Sequence, residues 1–506
     1  MSVFPDKRSK VILPRPVSAI KTALEITKNN GYLVGGVVRD SLLGIDTSDI
    51  DVAVEGNAIK IGKEIATFMN GTLVLLDEDR GISRVVVQGS QRFQIDLVSI
   101  HQGINANLED RDFTINAMAI PISLLTEKLE EISFKFKDLI DPFGGASALS
   151  SGEIKAVSFS AILDDPLRAI RAVRLSSQYK LEIEPVTYGL ILKSSSLLNS
   201  IAPERIRDEF MICLTLPGSN KTLKLLDKLN ILKEIIPELE LSKGIEQPKE
   251  HFWDVFNHSV ESVGQLERIL QPGYNTHSPD DEAGEFAIEL IPKIYCMCGY
   301  FNNVIGDGYT RLAICKLACL LHDIAKPTTK TIEDNGRIRF LGHNSKGAEI
   351  AELILKRLRF SGSTISLLCE QIRQHLSPSQ MSPDNELPSG KAIFRYFRDA
   401  GDAAIDTLYL NLADYMAARG PLLERDEWET HCRTINHILK ESFAEKGPAN
   451  IPRLVTGHDI MDRLSIPPGP KIGQILMAVT EAQSEGKIAN REQALKFIES
   501  VSTLGE

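Results

Sequence analysis

The stretch Tyr32–Glu55, YLVGGVVRDSLLGIDTSDIDVAVE, decides the fold. Apolar Leu33-Val34 lead into paired glycines and then Arg39-Asp40. A short polar loop follows, then Ser48-Asp49-Ile50-Asp51 running into Val52-Ala53-Val54. The pattern predicts strand, glycine turn, helix, loop and second strand. Gly35 and Gly36 have no Cβ, so backbone N–H groups can come close to a phosphate chain. Asp49 and Asp51 are two apart on a strand, which turns both carboxylates to one side of the sheet. Adjacent carboxylates repel unless something neutralises them. A pair of divalent metals does so, and can then serve an in-line phosphoryl displacement. Mg²⁺ suits oxygen ligands that include substrate phosphates.

Outside this stretch the chain reads as an ordinary soluble protein. Its 506 residues suffice for several domains. Hydrophobic residues make up 43% and charged residues 25%, as in globular domains. No apolar run approaches the ~20 residues needed to span a membrane. The basic N-terminus, MSVFPDKRSKVILPRP, lacks a following apolar core and is not read as a secretory signal. Seven scattered cysteines without a C-x-x-C pair point to a reducing cytoplasm. The net charge of −11 argues against nucleic acid as a partner of the whole surface, but a local basic stripe suffices.

GG-x-x-RD, then L-x-G, then D-x-D-V within one strand–turn–strand unit is a specific combination. It resembles the nucleotidyltransferase superfamily of DNA polymerase β type, in particular the class II tRNA nucleotidyltransferases and bacterial poly(A) polymerases. The resemblance implies an α+β fold. A small polymerase-β-like head, a mixed sheet with helices, would precede a long all-helical neck, body, HD region and tail. The expected division is an N-terminal tail and helix over 1–30, head over 31–150, neck over 151–245, HD domain over 246–425 and tail over 426–506. Asp49 and Asp51 would be catalytic and hold two Mg²⁺ ions, with Gly36 and Arg39 seating phosphates.

Further along the head, Ala58–Asn70 reads as a helix, and 73–76, 84–87 and 94–98 as strands. Asp96 on the last strand is either a third carboxylate or a buried cap. Between the first two strands lies the polar segment DEDRGIS, and in the resembling family a flexible loop in the segment starting at Leu76, LDEDRGISRVV, helps switch from C to A. Leu108–Ile120, LEDRDFTINAMAI, reads as Arg111-Asp112 before an apolar-periodic helix, Asp112 fitting a plain N-cap. It also resembles the family motif RD-x-T-x-NA-x-A, which implies that Arg111 supports the nucleotide.

In Asp164–Leu175, DDPLRAIRAVRL, Asp165 is expected to start a helix with Pro166 at its first position. Arg168, Arg171 and Arg174 recur every three residues and share one side with Asp165. An Asp acceptor beside an Arg donor matches cytosine and adenine, which both offer an amino donor next to a ring-nitrogen acceptor. Guanine and uracil reverse that order. The stretch resembles the family's E-D-x-x-R motif, with Asp164 in place of Glu. The resemblance implies base reading by Asp165 and Arg168 and phosphate binding by Arg171 and Arg174.

Residues 175–245 read as wholly helical. PERIRDEF at 203–210 resembles the family's next motif. Arg205, Arg207, Lys221, Lys224, Lys228 and Lys233 supply local positive charge for a tRNA backbone, or simply a charged helical bundle. Beyond them HFWDVFNHSV, AICKLACLLHDIAKP, LGHNSKGAE, QIRQHL and NLADYM together resemble the HD phosphohydrolase domain. Its H…HD…D order is met by His258, His322-Asp323 and Asp414, with His343 and His375 as candidates for a second metal. A divalent transition metal there could activate water for phosphoester hydrolysis. Gln271–Phe286 reads as an acidic loop inserted in this domain. Pro448–Ile498 resembles the family's C-terminal segment, expected to grip tRNA.

The resemblance runs from about Leu33 to Ile498. It implies a cytoplasmic enzyme that adds the CCA 3′ end to tRNA from CTP and ATP, releasing pyrophosphate. The alternatives are CC-adding, A-adding or poly(A) polymerase activity, or a metal-dependent HD phosphohydrolase or 2′,3′-cyclic phosphodiesterase acting on RNA ends.

Overall fold

A glycine in the left-handed region divides the first long strand from the first cleft-lining helix, and the head is built around that break. The computed structural model describes residues 10–88, 92–128, 131–270, 282–292, 297–381, 386–444 and 453–502. The head opens with β1 (Lys10–Ile12), α1 (Val17–Thr27), β2 (Asn30–Val34), α2 (Gly36–Leu43), β3 (Asp49–Glu55) and α3 (Ala58–Phe68). β4 (Thr72–Asp77), β5 (Ile82–Val87), β6 (Phe93–Ser99), α4 (Gly103–Glu109) and β7 (Ala119–Pro121) follow. The main sheet runs β4-β5-β6-β3-β2-β7. β3 and β6 pair in parallel and the other neighbours pair antiparallel, so the sheet is mixed. A second small sheet pairs β1 with β9 (Glu131–Lys135) and β9 with β8 (Thr126–Lys128).

The strand–turn–helix–loop–strand reading holds over Tyr32–Glu55. Gly35 sits at φ +74, and a Cβ there would strike the Arg111 guanidinium and come within 2.7 Å of an Asp51 carboxylate oxygen. Only glycine fits that corner. Val34, Val52, Ala53 and Val54 are fully buried, so β3 is fixed by its core before it delivers its acids to the open edge.

Several expectations need correction. The apolar residues of RDFTINAMA form no helix. Thr114–Asn116 is one 3-10 turn, and the chain then enters β7, which pairs with β2. The backbone groups on that side of β2 need partners, and the edge strand supplies them. The helix expected to start at Asp165 with Pro166 first begins two residues later, at Arg168. α5 (Gly145–Ser151), β10 (Glu153–Ile154) and α6 (Ala161–Asp164) come first, Asp165 is extended, and α7 runs Arg168–Tyr179. The Asp165 side chain accepts from the Leu167 N–H at 3.3 Å, a cap-type bond, and its carbonyl accepts from the Arg168 N–H at 3.0 Å, so Asp165–Leu167 form the turn that leads into α7. The neck is not wholly helical, because β11 (Glu182–Ile183) pairs with β10. The strands expected at 73–76 and 84–87 are present within β4 and β5, which pair as a hairpin, and the polar segment between them turns at Asp77–Gly81. Three residues of the expected N-terminal tail form β1; residues 1–9 lie outside the described residues.

After β11 the named elements among the described residues are helices except for one hairpin, Lys330–Ile332 with Ile338–Phe340. Two compact units divide it, Met1–Glu209 with Leu225–Glu234, and Phe210–Lys224 with Ile235–Glu506. Within the second unit, helix Val255–Leu270 packs on Arg311–Leu321 and Ala404–Arg419. Of the expected acidic loop, residues 271–281 lie outside the described residues, while Glu282–Leu290 is helix. The last helices, Gly457–Leu464, Pro470–Ser484 and Arg491–Ser502, share their own apolar core around Ile460, Val479 and Ile498.

Candidate functional site

β3 carries Asp49 and Asp51 to the edge of a polar cleft of about 500 Å³. Gly36, Arg39, Arg111, Arg171 and Arg174 also line it, so seven of the nine residues expected to act in the head converge there. Asp51 pairs in register with Asp96 on β6. Burial pushes the Asp51 carboxyl above its ordinary value, and the Asp96 and Asp49 charges add to that while Arg111 opposes it. Asp96 is held by Arg84 at 2.6 and 2.7 Å, a bidentate pair that neutralises it. Asp49 and Asp51, by contrast, form no ion pair among the described residues and feel Arg111, Arg171 and Arg84 only at longer range, which is the chemistry of a divalent-metal site.

The arginines are fixed by acids behind them. Arg171 donates to buried Asp112 at 2.9 Å. Burial alone would raise the Asp112 carboxyl, but Arg171, Asn116 and the Phe113 N–H outweigh it and hold it low. Glu209, from the PERIRDEF motif, takes Arg174 at 2.8 Å and Arg171 at 3.6 Å. Arg39 is buried. It reaches Asp40 at 2.8 Å and Asn116 at 2.6 Å, and its guanidinium lies 4.2 Å over the Tyr179 ring. Asn116 in turn donates to Asp112 at 3.0 Å. One network thus ties Asp40, Arg39, Asn116, Asp112, Arg171, Glu209 and Arg174. Asp165 and Arg168 do not line the cleft. Arg168 donates to the carbonyls of Arg111 and Ala161 at 3.2 and 3.1 Å and to that of Asp110. Asp165 accepts from Arg205 at 3.0 Å.

The second constellation is buried in the helical unit. His258 Nε2 stands 2.9 Å from Asp414 Oδ1 and 3.2 Å from His322 Nε2. His322 Nε2 lies 3.1 Å from Asp323 Oδ2. On the other side of Asp323, His343 Nε2 is 3.3 Å from Oδ1 and 3.3 Å from His375 Nε2. His258, His322 and Asp414 form one ligand group, and Asp323, His343 and His375 another. Three of the four rings are set by the carbonyl three residues back. Nδ1 of His322, His343 and His375 lies 2.8, 2.6 and 2.6 Å from the oxygens of Cys319, Phe340 and Ile372. A ring that donates through Nδ1 carries its lone pair on Nε2. His343 and His375 then face each other lone pair to lone pair, an arrangement that calls for a cation. Burial would lower His322, but Asp323 and Asp414 outweigh it and pull its imidazole well above the ordinary value. The same pull acts on a metal ion. Lys326 closes the outer side, 2.6 Å from Asp323 Oδ2.

The family profile for the poly A polymerase head domain matches residues 31–155. Profiles described as "Probable RNA and SrmB-binding site of polymerase A", "HD domain" and "tRNA nucleotidyltransferase domain 2" match 180–242, 295–419 and 452–498. An A-adding tRNA nucleotidyltransferase of Deinococcus radiodurans is 30% identical over 92% of this chain and 94% of its own. The chain belongs to the tRNA nucleotidyltransferases. A CC-adding member from Thermus thermophilus is 28% identical over 93% of this chain and 94% of its own. A Thermotoga maritima CCA-adding enzyme solved with tRNA shares the fold, with a TM-score of 0.57 at 20% identity over 96% and 94% of the two chains.

Within this tRNA nucleotidyltransferase, sequence reasoning missed the roles of Asp112, Asn116, Tyr179 and Glu209. Asp112 reads as an ordinary cap, and Glu209 belongs to a motif whose acid is legible but whose partners lie more than thirty residues upstream. Half the anticipated basic stripe is neutralised: Arg205 pairs with Asp165, Arg207 with Asp208 and Lys224 with Glu261. No helix among the described residues is long and apolar enough to cross a membrane.

Proposed function

We propose that this chain lengthens the 3′ end of tRNA without a template, joining nucleotides from CTP and ATP and releasing pyrophosphate. The observation that carries the reading is the convergence of Asp49 and Asp51 with Arg111, Arg171 and Arg174 on one cleft. Two carboxylates beside three cations suit a polyphosphate whose charge is shared between metal and guanidinium. Asp49 and Asp51 would hold Mg²⁺, two ions in this reading. Bound there, Mg²⁺ neutralises phosphate charge and lowers the pKa of the attacking hydroxyl.

The protein's own groups do the rest. The first amides of a helix have no intrahelical partner, so Gly36 at the start of α2 offers a donor to a phosphate oxygen. Arg171 and Arg174 bind phosphate from a fixed position, because Asp112 and Glu209 hold their guanidinium groups. Arg39 acts through the network, orienting Asn116 and Asp112. Base selection is assigned to Asp165 and Arg168, whose present partners are the groups a base edge would replace. Complete CCA addition is the reading taken from sequence. The A-adding and CC-adding names of the relatives matched over nine-tenths of the chain support the split-activity alternative.

A second activity is favoured by the ring geometry of the HD cluster. His258, His322, Asp323 and Asp414 would hold one divalent transition metal, and Asp323, His343 and His375 another. Metal bound there would supply an activated water for hydrolysis of phosphoesters on RNA ends. Buried free thiols at Cys213, Cys315, Cys319, Cys369 and Cys432 fit a reducing cytoplasm, our assigned location.

Pyrophosphate release tests the reading. With a tRNA transcript lacking its 3′ tail, release from CTP or ATP is expected and depends on the transcript. Release from neither nucleotide overturns it.

A further inference from the structure

The helical unit contains another cleft, of about 270 Å³, which neither the head chemistry nor the HD cluster uses. Trp253 and Gly420 form one wall, and Asn220, Lys221, Gln265 and Arg268 line the rest with Glu261 and Glu267. Gly420, at the end of helix Ala404–Arg419, takes φ +53, and a Cβ there would meet the Trp253 Nε1 at 3.1 Å. The glycine therefore keeps the indole edge clear. Trp253 Nε1 has no hydrogen-bond partner among the described residues, and the ring is only partly buried. The chain's other tryptophan differs on both counts: Trp428 is fully buried and donates to the Ala287 carbonyl at 2.9 Å.

The charges of the cleft are unevenly satisfied. Glu261 is held by Lys224 and by Asn220 at 3.2 Å. Buried Glu267 accepts from the Gly218 and Ser219 amides at 2.6 and 3.2 Å and from Lys316 at 3.1 Å. Both acids are thus neutralised within the fold. The Lys221 ammonium is exposed and has no partner among the described residues. What the cleft presents to solvent is an aromatic ring with a free donor, side-chain amides and an unpaired cation.

We propose that this cleft binds a single unstacked nucleotide of the RNA substrate, its base against Trp253 and its phosphate at Lys221. Aromatic rings take bases of any identity, and a lysine beside the ring takes the backbone charge. The volume admits one nucleoside and excludes a duplex. Asn220 and Lys221 fall inside the stretch that matches the RNA-binding profile, residues 180–242. The inference rests on RNA being the substrate, and it gives that substrate a contact of its own in the helical unit.

The test is the emission of Trp253. Wild type and Trp253→Phe are titrated with a tRNA transcript, and the difference isolates this ring from buried Trp428. Quenching by the transcript is expected in wild type and absent in the variant. Trp253→Ala should weaken transcript binding about tenfold. Lys221→Ser should lower the slope of log affinity against log salt by about 0.7 to 0.9, the signature of one lost phosphate contact. Free CTP and ATP form the control arm. Quenching by them and not by the transcript, no quenching at all, or an unchanged salt slope would each overturn the proposal. Transcript-dependent pyrophosphate release, measured on the same samples, separates these outcomes from failure of the functional reading.

Discussion

The head cleft and the HD cluster both gather carboxylates for a cation, but they do so by opposite routes. In the head, two acids arrive together on one strand, two residues apart, and stay at an open edge. In the HD cluster, ligands come from the ends and middles of several helices and converge where His258, His322 and Asp323 are almost wholly buried. The first arrangement leaves room for a large charged substrate, and its arginines must be held by acids behind them. The second sits at the base of a cleft of about 410 Å³ lined by Asp323, His343, His375 and Asp414, and its rings are held by backbone carbonyls instead. The head site is oriented by side-chain networks, the HD site by the backbone itself.

The contrast can be broken most severely at its carboxylates. Replacing Asp49→Ala or Asp51→Ala should reduce nucleotide incorporation by roughly 10³-fold or more, while the tRNA dissociation constant stays put. Single-turnover incorporation and filter binding on one preparation would check both halves. A smaller loss is expected from Glu209→Gln. With Arg171 and Arg174 released from their anchor, KM for the nucleotide should rise about tenfold and kcat should change less. Steady-state kinetics at saturating tRNA would read that split.

Arg168→Ala sharpens the comparison differently. If Arg168 exchanges backbone carbonyls for a base edge, discrimination against GTP and UTP should fall about tenfold. Unchanged discrimination in a four-nucleotide competition would leave Arg168 as a strut between α7 and the Asp110–Arg111 backbone. The smallest effect concerns a buried acid in the helical unit. Burial lifts the Asp406 carboxyl from 3.8 to about 7, although Arg311 opposes it. A folded-state value above the unfolded one stabilises below 3.8, and that contribution is lost as pH rises to about 7. Asp406→Asn should therefore flatten the fall in Tm across that window, as a melting series in matched buffers would register.

How much of this was legible depended on how local the cause was. Asp49, Asp51 and the glycine turn were readable because period two and a missing Cβ act within a few residues. The three arginines of α7 were readable as a stripe, and Asp165 as its cap, but the first helical residue lay two positions later than Pro166, because a turn over Asp165–Leu167 precedes the helix. RDFTINAMA looked helical because Phe113, Ile115, Ala117 and Met118 suit either period, and the unpaired edge of β2 decided between them. The HD ligands were readable only as an order along the chain. That Asp323 stands between two histidine pairs is a fact of packing. Glu209 shows the same limit, being visible as part of a motif while its function lies in arginines from another helix.

The most direct test of the account uses tRNA transcripts ending before the tail, after one C and after two Cs, each offered one labelled nucleotide at a time. The account requires incorporation of C or A onto at least one of them, with GTP and UTP refused, and complete tails from CTP and ATP together if all three additions belong to this chain. C alone, or A alone onto the two-C end, would assign it the split activity of its full-length relatives. No incorporation, or equal incorporation of all four nucleotides, would contradict it.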